Sequence, residues 1–144
     1  MAEQNYQNHA RYVPMFHFVL FGALVLTFIG SLVNLYHSMD DHSRLYSASL
    51  IAVLSLCAIV QFFFSRIFPL KAQDRAIFVQ ESLRHYVLTG KAIDPRITVP
   101  QTIGLRFASD EEFPALARRA AEEGLSLGDI KKAVKKWRPD NYRV

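Results

Sequence analysis

Apolar residues run almost without interruption from Val13 to Tyr36 and again from Ser47 to Phe68, and the ten positions between them, His37 to Tyr46, are mostly polar. Neither run contains Asp, Glu, Lys or Arg before Arg66. A helix rises about 1.5 Å per residue and the hydrocarbon layer is about 30 Å thick, so each run predicts a membrane-crossing helix. Lipid offers the backbone no hydrogen-bond partner, which leaves helix as the workable conformation. The short polar stretch predicts a tight turn, and with it an antiparallel helical hairpin over 13–68. A cleavable signal peptide competes for the first run, because Arg11 precedes it. That reading fails on length, since a signal core spans only about 7–15 residues, and no small-x-small site follows before the second run.

Orientation follows from Lys and Arg near the membrane edges. The loop carries Arg44 beside Asp40 and Asp41, whereas Arg66, Lys71, Arg75 and Arg84 follow the second run and Arg11 precedes the first. Both termini are therefore expected in the cytoplasm, with the loop outside. Tyr12, Phe16, Tyr36, Tyr46 and the cluster Phe62, Phe63, Phe64, Phe68 fall where interfacial aromatic belts occur. A mean hydropathy of +0.09 averages two unlike halves. From Leu70 onward there are 14 Lys and Arg against 10 Asp and Glu, so this part holds the whole +4 excess.

Between lipid-embedded helices, close backbone approach replaces the hydrophobic drive, so small residues mark the expected contact. Ala23, Thr27, Gly30, Ser31 and Asn34 form one stripe at helical spacing, and Ala48, Ala52 and Ser55 form another. Facing stripes would set Asn34 near Ala48 and Gly22 near Gln61; a stripe could equally serve an outside partner. His17, Asn34 and Gln61 are the possible intramembrane polar contacts. Interfacial solvation accounts for His17, and an interhelical hydrogen bond for Gln61. No cofactor or metal is expected: His17 is far along the helix from His37 and His42, the second run has no histidine, and the lone Cys57 sits mid-span as packing. Asp40, Asp41 and His42 read as solvated turn residues.

Residues 69–144 predict a small cytoplasmic helical domain. Leu70 to Leu88 continues as a helix with Ala72, Ala76, Ile77, Val79, Leu83, Tyr86 and Val87 as its apolar positions, ended by Gly90. That face either rests in the lipid interface, with Lys71, Arg75 and Arg84 on phosphates, or covers a small core. Lys91 to Pro100 reads as a connector and Gln101 to Phe107 as a short helix. Ser109 with Glu112 suggests a capping box for a helix ending at Gly124, and Ser126 with Asp129 a second one. In the last helix Ile130, Ala133, Val134 and Trp137 form the buried edge, and Lys131, Lys132, Lys135, Lys136 and Arg138 a basic run opposite, ended by Pro139. The basic run is a solvated face or a contact for anionic lipid or an acidic partner; nucleic acid is disfavoured by interleaved acidic residues and the lack of a binding motif.

No phosphate loop, metal-spaced histidine pair or nucleophile elbow occurs, so catalytic residues are not expected in this chain. The opening Asn5-Tyr6-Gln7-Asn8-His9-Ala10-Arg11-Tyr12-Val13-Pro14, with Leu88-Thr89-Gly90-Lys91, Leu105-Arg106-Phe107-Ala108-Ser109-Asp110-Glu111-Glu112 and Lys135-Lys136-Trp137-Arg138-Pro139-Asp140, resembles a group of small, uncharacterised bacterial two-span membrane proteins. The resemblance implies a stand-alone bacterial family and carries no reaction. The polar segment 1–12 either clamps cytoplasmic helices through Asn5, Tyr6, Asn8, His9 and Arg11 or is disordered. Three functions fit: a non-catalytic accessory subunit of a larger membrane complex, a tethered regulator using its basic helix, or an oligomeric transporter or enzyme subunit. Lipid is a partner in all three, joined by a protein partner or by further copies of the chain.

Overall fold

The computed structural model describes residues 5–8 and 12–140, and every described element is helical, with one isolated β-bridge between Ala108 and Trp137. A π-helical turn, Met15–Leu20, runs into α1, Phe21–His37. Then follow α2, His42–Thr89, α3, Val99–Leu105, α4, Phe113–Glu123, and α5, Leu127–Ala133. The chain divides into two compact units, one ending at Phe68 and the other beginning at Pro69; Asn5–Asn8 group with the second.

In the first unit, Met15–His37 and α2 are long and apolar enough to cross a membrane by length and composition. The start of the first segment is held locally, as the Val13 N–H donates to His17 Nδ1 at 3.1 Å and Val13 O accepts from the His17 N–H at 2.9 Å. The loop is shorter than the sequence suggests. Asp41, expected to be merely solvated, caps α2: its Oδ1 accepts from the Ser43 N–H at 3.0 Å and the Ser43 hydroxyl at 2.6 Å. The Ser43 hydroxyl holds the Asp41 carboxyl below its usual range. With that cap in place the helix starts at His42, so polar residues 42–46 are helical and only 38–41 turn.

Contact between α1 and α2 confirms one expected stripe and rotates the other. Ala48, Ala52 and Ser55 are buried, and Ser55 Oγ lies 3.0 Å from Ser31 Oγ. On α1, however, Ala23, Thr27, Gly30 and Asn34 are exposed, and the inward positions are Phe21, Leu24, Phe28, Ser31 and Leu35. Large rings supply the reason: Phe62 stacks on Phe16 at 4.4 Å between centroids and packs on Phe21 at 5.3 Å. Burying Phe21 and Phe28 turns Ala23 and Thr27 outward, because residues two and one positions away lie on other faces of a helix.

In the second unit α3, α4 and α5 enclose Leu105, Phe113, Ala117, Ala120, Ile130 and Val134. The helix expected from Gln101 begins at Val99, since Pro100 sits in the first turn, where its missing N–H costs nothing. Gln101 Oε1 accepts from the Thr98 N–H at 2.8 Å, and its amide donates to Ala120 O at 3.1 Å and Leu125 O at 3.0 Å, tying α3 to the end of α4. Gly124 closes α4 at φ 63°, as its position suggested. At Gly104 the helices touch: a Cβ there would meet Ile130 Cγ2 at 2.9 Å and Leu127 O at 3.2 Å.

Two consequences are measurable. Gly104→Ala should destabilise this unit by about 1–3 kcal/mol through overpacking against α5, read as a lower unfolding midpoint in denaturant. In the connector, the Arg96 guanidinium holds the Asp94 carboxyl down at about 2. Because the folded value is depressed, the contact contributes fully above the unfolded value of about 3.9 and is lost as pH falls through 2. A carboxyl carbon titration midpoint for Asp94 near 4 would refute the pairing.

Candidate functional site

The carboxyl-terminal half of α2 presents two unlike faces, and the residues on each are the best candidates for function. Toward α4 and the bridge it turns Ile77, Glu81, Arg84 and His85, of which Ile77 and Glu81 are buried. Arg84, expected on lipid phosphate, is only 10% exposed. Its Nη1 donates to Glu81 Oε2 at 2.9 Å, its Nε to Asp110 Oδ1 at 2.7 Å and its Nη2 to Ala108 O at 2.7 Å. The guanidinium also lies 4.5 Å above the Phe113 ring. Arg138 approaches Glu81 Oε1 at 4.0 Å from the other side. Two cations thus compensate one buried carboxylate, and Asp110, two-thirds exposed, joins the pair to solvent.

On the opposite face the apolar residues stand in the open. Val79, Leu83, Tyr86 and Val87 are 66%, 63%, 57% and 74% exposed, and Ala72 and Ala76 are exposed with them. Of the expected apolar positions only Ile77 is buried. The helix therefore docks on its own domain through a charged face and leaves its apolar stripe unpartnered.

The basic run is broken up. α5 ends at Ala133, and from Val134 the chain is extended rather than helical. Trp137 pairs with Ala108, through the Ser109 N–H to Lys136 O at 3.1 Å and the Arg138 N–H to Phe107 O at 2.7 Å, and its ring packs on Phe107 at 4.8 Å. Lys131 Nζ lies 5.6 Å from the Phe107 ring, Lys132 is 4.0 Å from Asp129, and Lys136 is 3.1 Å from Glu111. Lys135 and Lys136 give their backbone N–H groups to the Glu112 carboxylate, at 3.2 and 3.0 Å. Glu112 is thereby taken from the capping box expected with Ser109, whose Oγ accepts only a long bond from the Glu112 N–H, at 3.4 Å. Ser126 does cap α5, accepting from the Asp129 N–H at 3.2 Å.

The remaining candidates stay apart. His17 is occupied with the Val13 backbone, and Asn34 and Gln61 are exposed. Of the opening segment, Asn5–Asn8 form a turn in which Asn5 Oδ1 accepts from the Gln7 N–H at 2.8 Å; His9 and Arg11 lie outside the described residues. A cleft of about 240 Å³ lies among His85, Thr89, Asp94 and Arg118. Within it Thr89 Oγ1 donates to His85 O at 2.7 Å.

Glu81 and Arg84 carried a readable signal, an opposite-charge pair at i,i+3, but nothing in one dimension marks that pair as buried. Removing Arg84 leaves the buried Glu81 carboxylate only the more distant Arg138. Arg84→Ala should cost about 3–5 kcal/mol, whereas Asp110→Asn, at an exposed position, should cost less than about 1 kcal/mol; thermal unfolding in mild detergent measures both. No curated protein and no solved structure matches the chain. A family of unknown function, DUF6526, matches residues 1–144, and the chain belongs to that family.

Proposed function

We propose that this protein is a non-catalytic accessory subunit of the bacterial inner membrane, anchored by a two-helix hairpin, with the helical unit as a cytoplasmic docking module. The observation that carries this reading is the state of the two apolar segments. Their most apolar windows reach a mean hydropathy of 2.2, yet only 6% and 17% of them are buried within the protein. A core helix of a water-soluble protein hides such residues, so side chains this apolar and this exposed call for lipid. The bias of Arg66, Lys71 and Arg75 after the second segment, against Arg44 in the loop, supports both termini inside.

Docking, not catalysis, fits the second unit. Glu81, Arg84 and Glu112 are spent on internal pairs, and the apolar stripe on α2 is open. The reading in which one basic helix grips anionic lipid or nucleic acid loses its geometry, because Lys135, Lys136 and Arg138 follow α5 instead of sharing its surface.

Topology is the direct test. In a Cys57→Ser background, Asp41→Cys should react with a membrane-impermeant maleimide in intact cells, while Ser126→Cys should react only after permeabilisation. The protein should also resist alkaline carbonate extraction. Release by carbonate, or labelling of position 126 in intact cells, would sink the proposal.

A further inference from the structure

We infer that the exposed stripe on α2 pairs with the same stripe of a second copy of this chain, as a short parallel two-helix seam. Ala72, Ala76, Val79, Leu83 and Tyr86 follow one another at steps of four, three, four and three residues. That alternation is the a and d spacing of a helix-pairing seam, in which each apolar side chain enters a gap on the facing helix. All five are exposed, with Val79 at 66% and Leu83 at 63%.

The stripe is not held in reserve for the protein's own core. Glu81 and Arg84, on the other side of α2, already fix that helix to its domain through Asp110, Ala108 and Phe113. Lipid is a poor match, because an interfacial helix needs a broad apolar face rimmed with cations. This face, Val87 included, has cations on one edge only, Lys71 and Arg75, and its other edge carries Gln73 and Gln80.

A second copy fits for three reasons. Ala72 and Ala76 let two helices approach closely, and Val79 and Leu83 supply the interlocking bulk. In a parallel pair the flanking Arg75 faces Gln80 of the second copy, so no like charges meet across the seam. Copies inserted in one membrane share an orientation, which is the parallel one; this step rests on the membrane-anchored reading above. The area sets the strength. Two heptads of one helix face offer less than the total of about 1,200 Å² typical of stable complexes, so pairing depends on confinement in the membrane plane.

Full-length protein carrying Cys57→Ser and one new cysteine, reconstituted in phosphatidylcholine vesicles, tests this. Under mild oxidation Val79→Cys and Leu83→Cys should form disulfide dimers about tenfold faster than Lys71→Cys or Leu88→Cys, which lie off the seam, because pairing raises the local thiol concentration. Adding Leu83→Glu to Val79→Cys should remove that advantage, and native mass measurement from the vesicles should show dimer for the parent and monomer for the Glu variant. Equal rates at all four positions would mean random collision and overturn the seam, as would monomer throughout or labelling of Val79→Cys by a lipid-borne photoreactive probe. Carbonate extraction of the same vesicles separates the two proposals: protein that stays inserted without the cross-linking pattern refutes only the pairing, and protein that washes off refutes the anchor.

Discussion

A guanidinium held almost out of water has to find acceptors for its N–H groups, and Arg84 finds them on Glu81, Asp110 and the Ala108 carbonyl. That requirement sets the rotation of α2 about its own axis. With Arg84 and Glu81 turned inward, Ile77 and His85 follow them by helical spacing, and Val79, Leu83 and Tyr86 are carried to the far side. The apolar face that would ordinarily cover a small core is excluded from it by a charged one. Desolvating such a pair is costly, so its persistence here is better understood as fixing which face docks than as a large source of stability.

The rest of the second unit is arranged around the same region. Ala108, which accepts from Arg84, also anchors the bridge to Trp137, and Phe113, beneath the guanidinium, begins α4. Arg138 returns to Glu81 from beyond the bridge. Glu112, between Ala108 and Phe113, accepts from the backbone of Lys135 and Lys136 and so secures the extended segment that replaces the end of the last helix. Glu81, Arg84 and Glu112 thus act as internal fasteners, while the apolar strip on α2 stays open.

In the first unit exposed apolar surface and helix contact are separated in a different way. Ser31 and Ser55 meet where Ala48 and Ala52 permit close approach, while Phe16, Phe21 and Phe62 close the other end of the contact. Small residues located the contact on α2, whereas on α1 only Ser31 of the expected stripe lies in it and the others face outward. There, ring stacking outweighed the benefit of placing Ala23, Thr27 and Gly30 at the interface.

Much of the architecture was legible in one dimension, because it rests on properties local to a few turns of chain. Runs of apolar residues without charge determined the two long helices, and glycines at 90 and 124, both left-handed in the structure, marked helix ends as expected. The cap at Ser126 belongs with them, since it involves neighbours three residues apart. What only the tertiary structure decided is which partner each side chain takes when several are in reach. Glu112 leaves Ser109 for Lys135 and Lys136, Trp137 leaves its helix for Ala108, and Arg84 leaves the lipid edge for Glu81 and Asp110. Each exchange joins residues 23 to 29 positions apart or turns a helix on its axis, and local spacing is silent about both because a helix offers every face the same backbone.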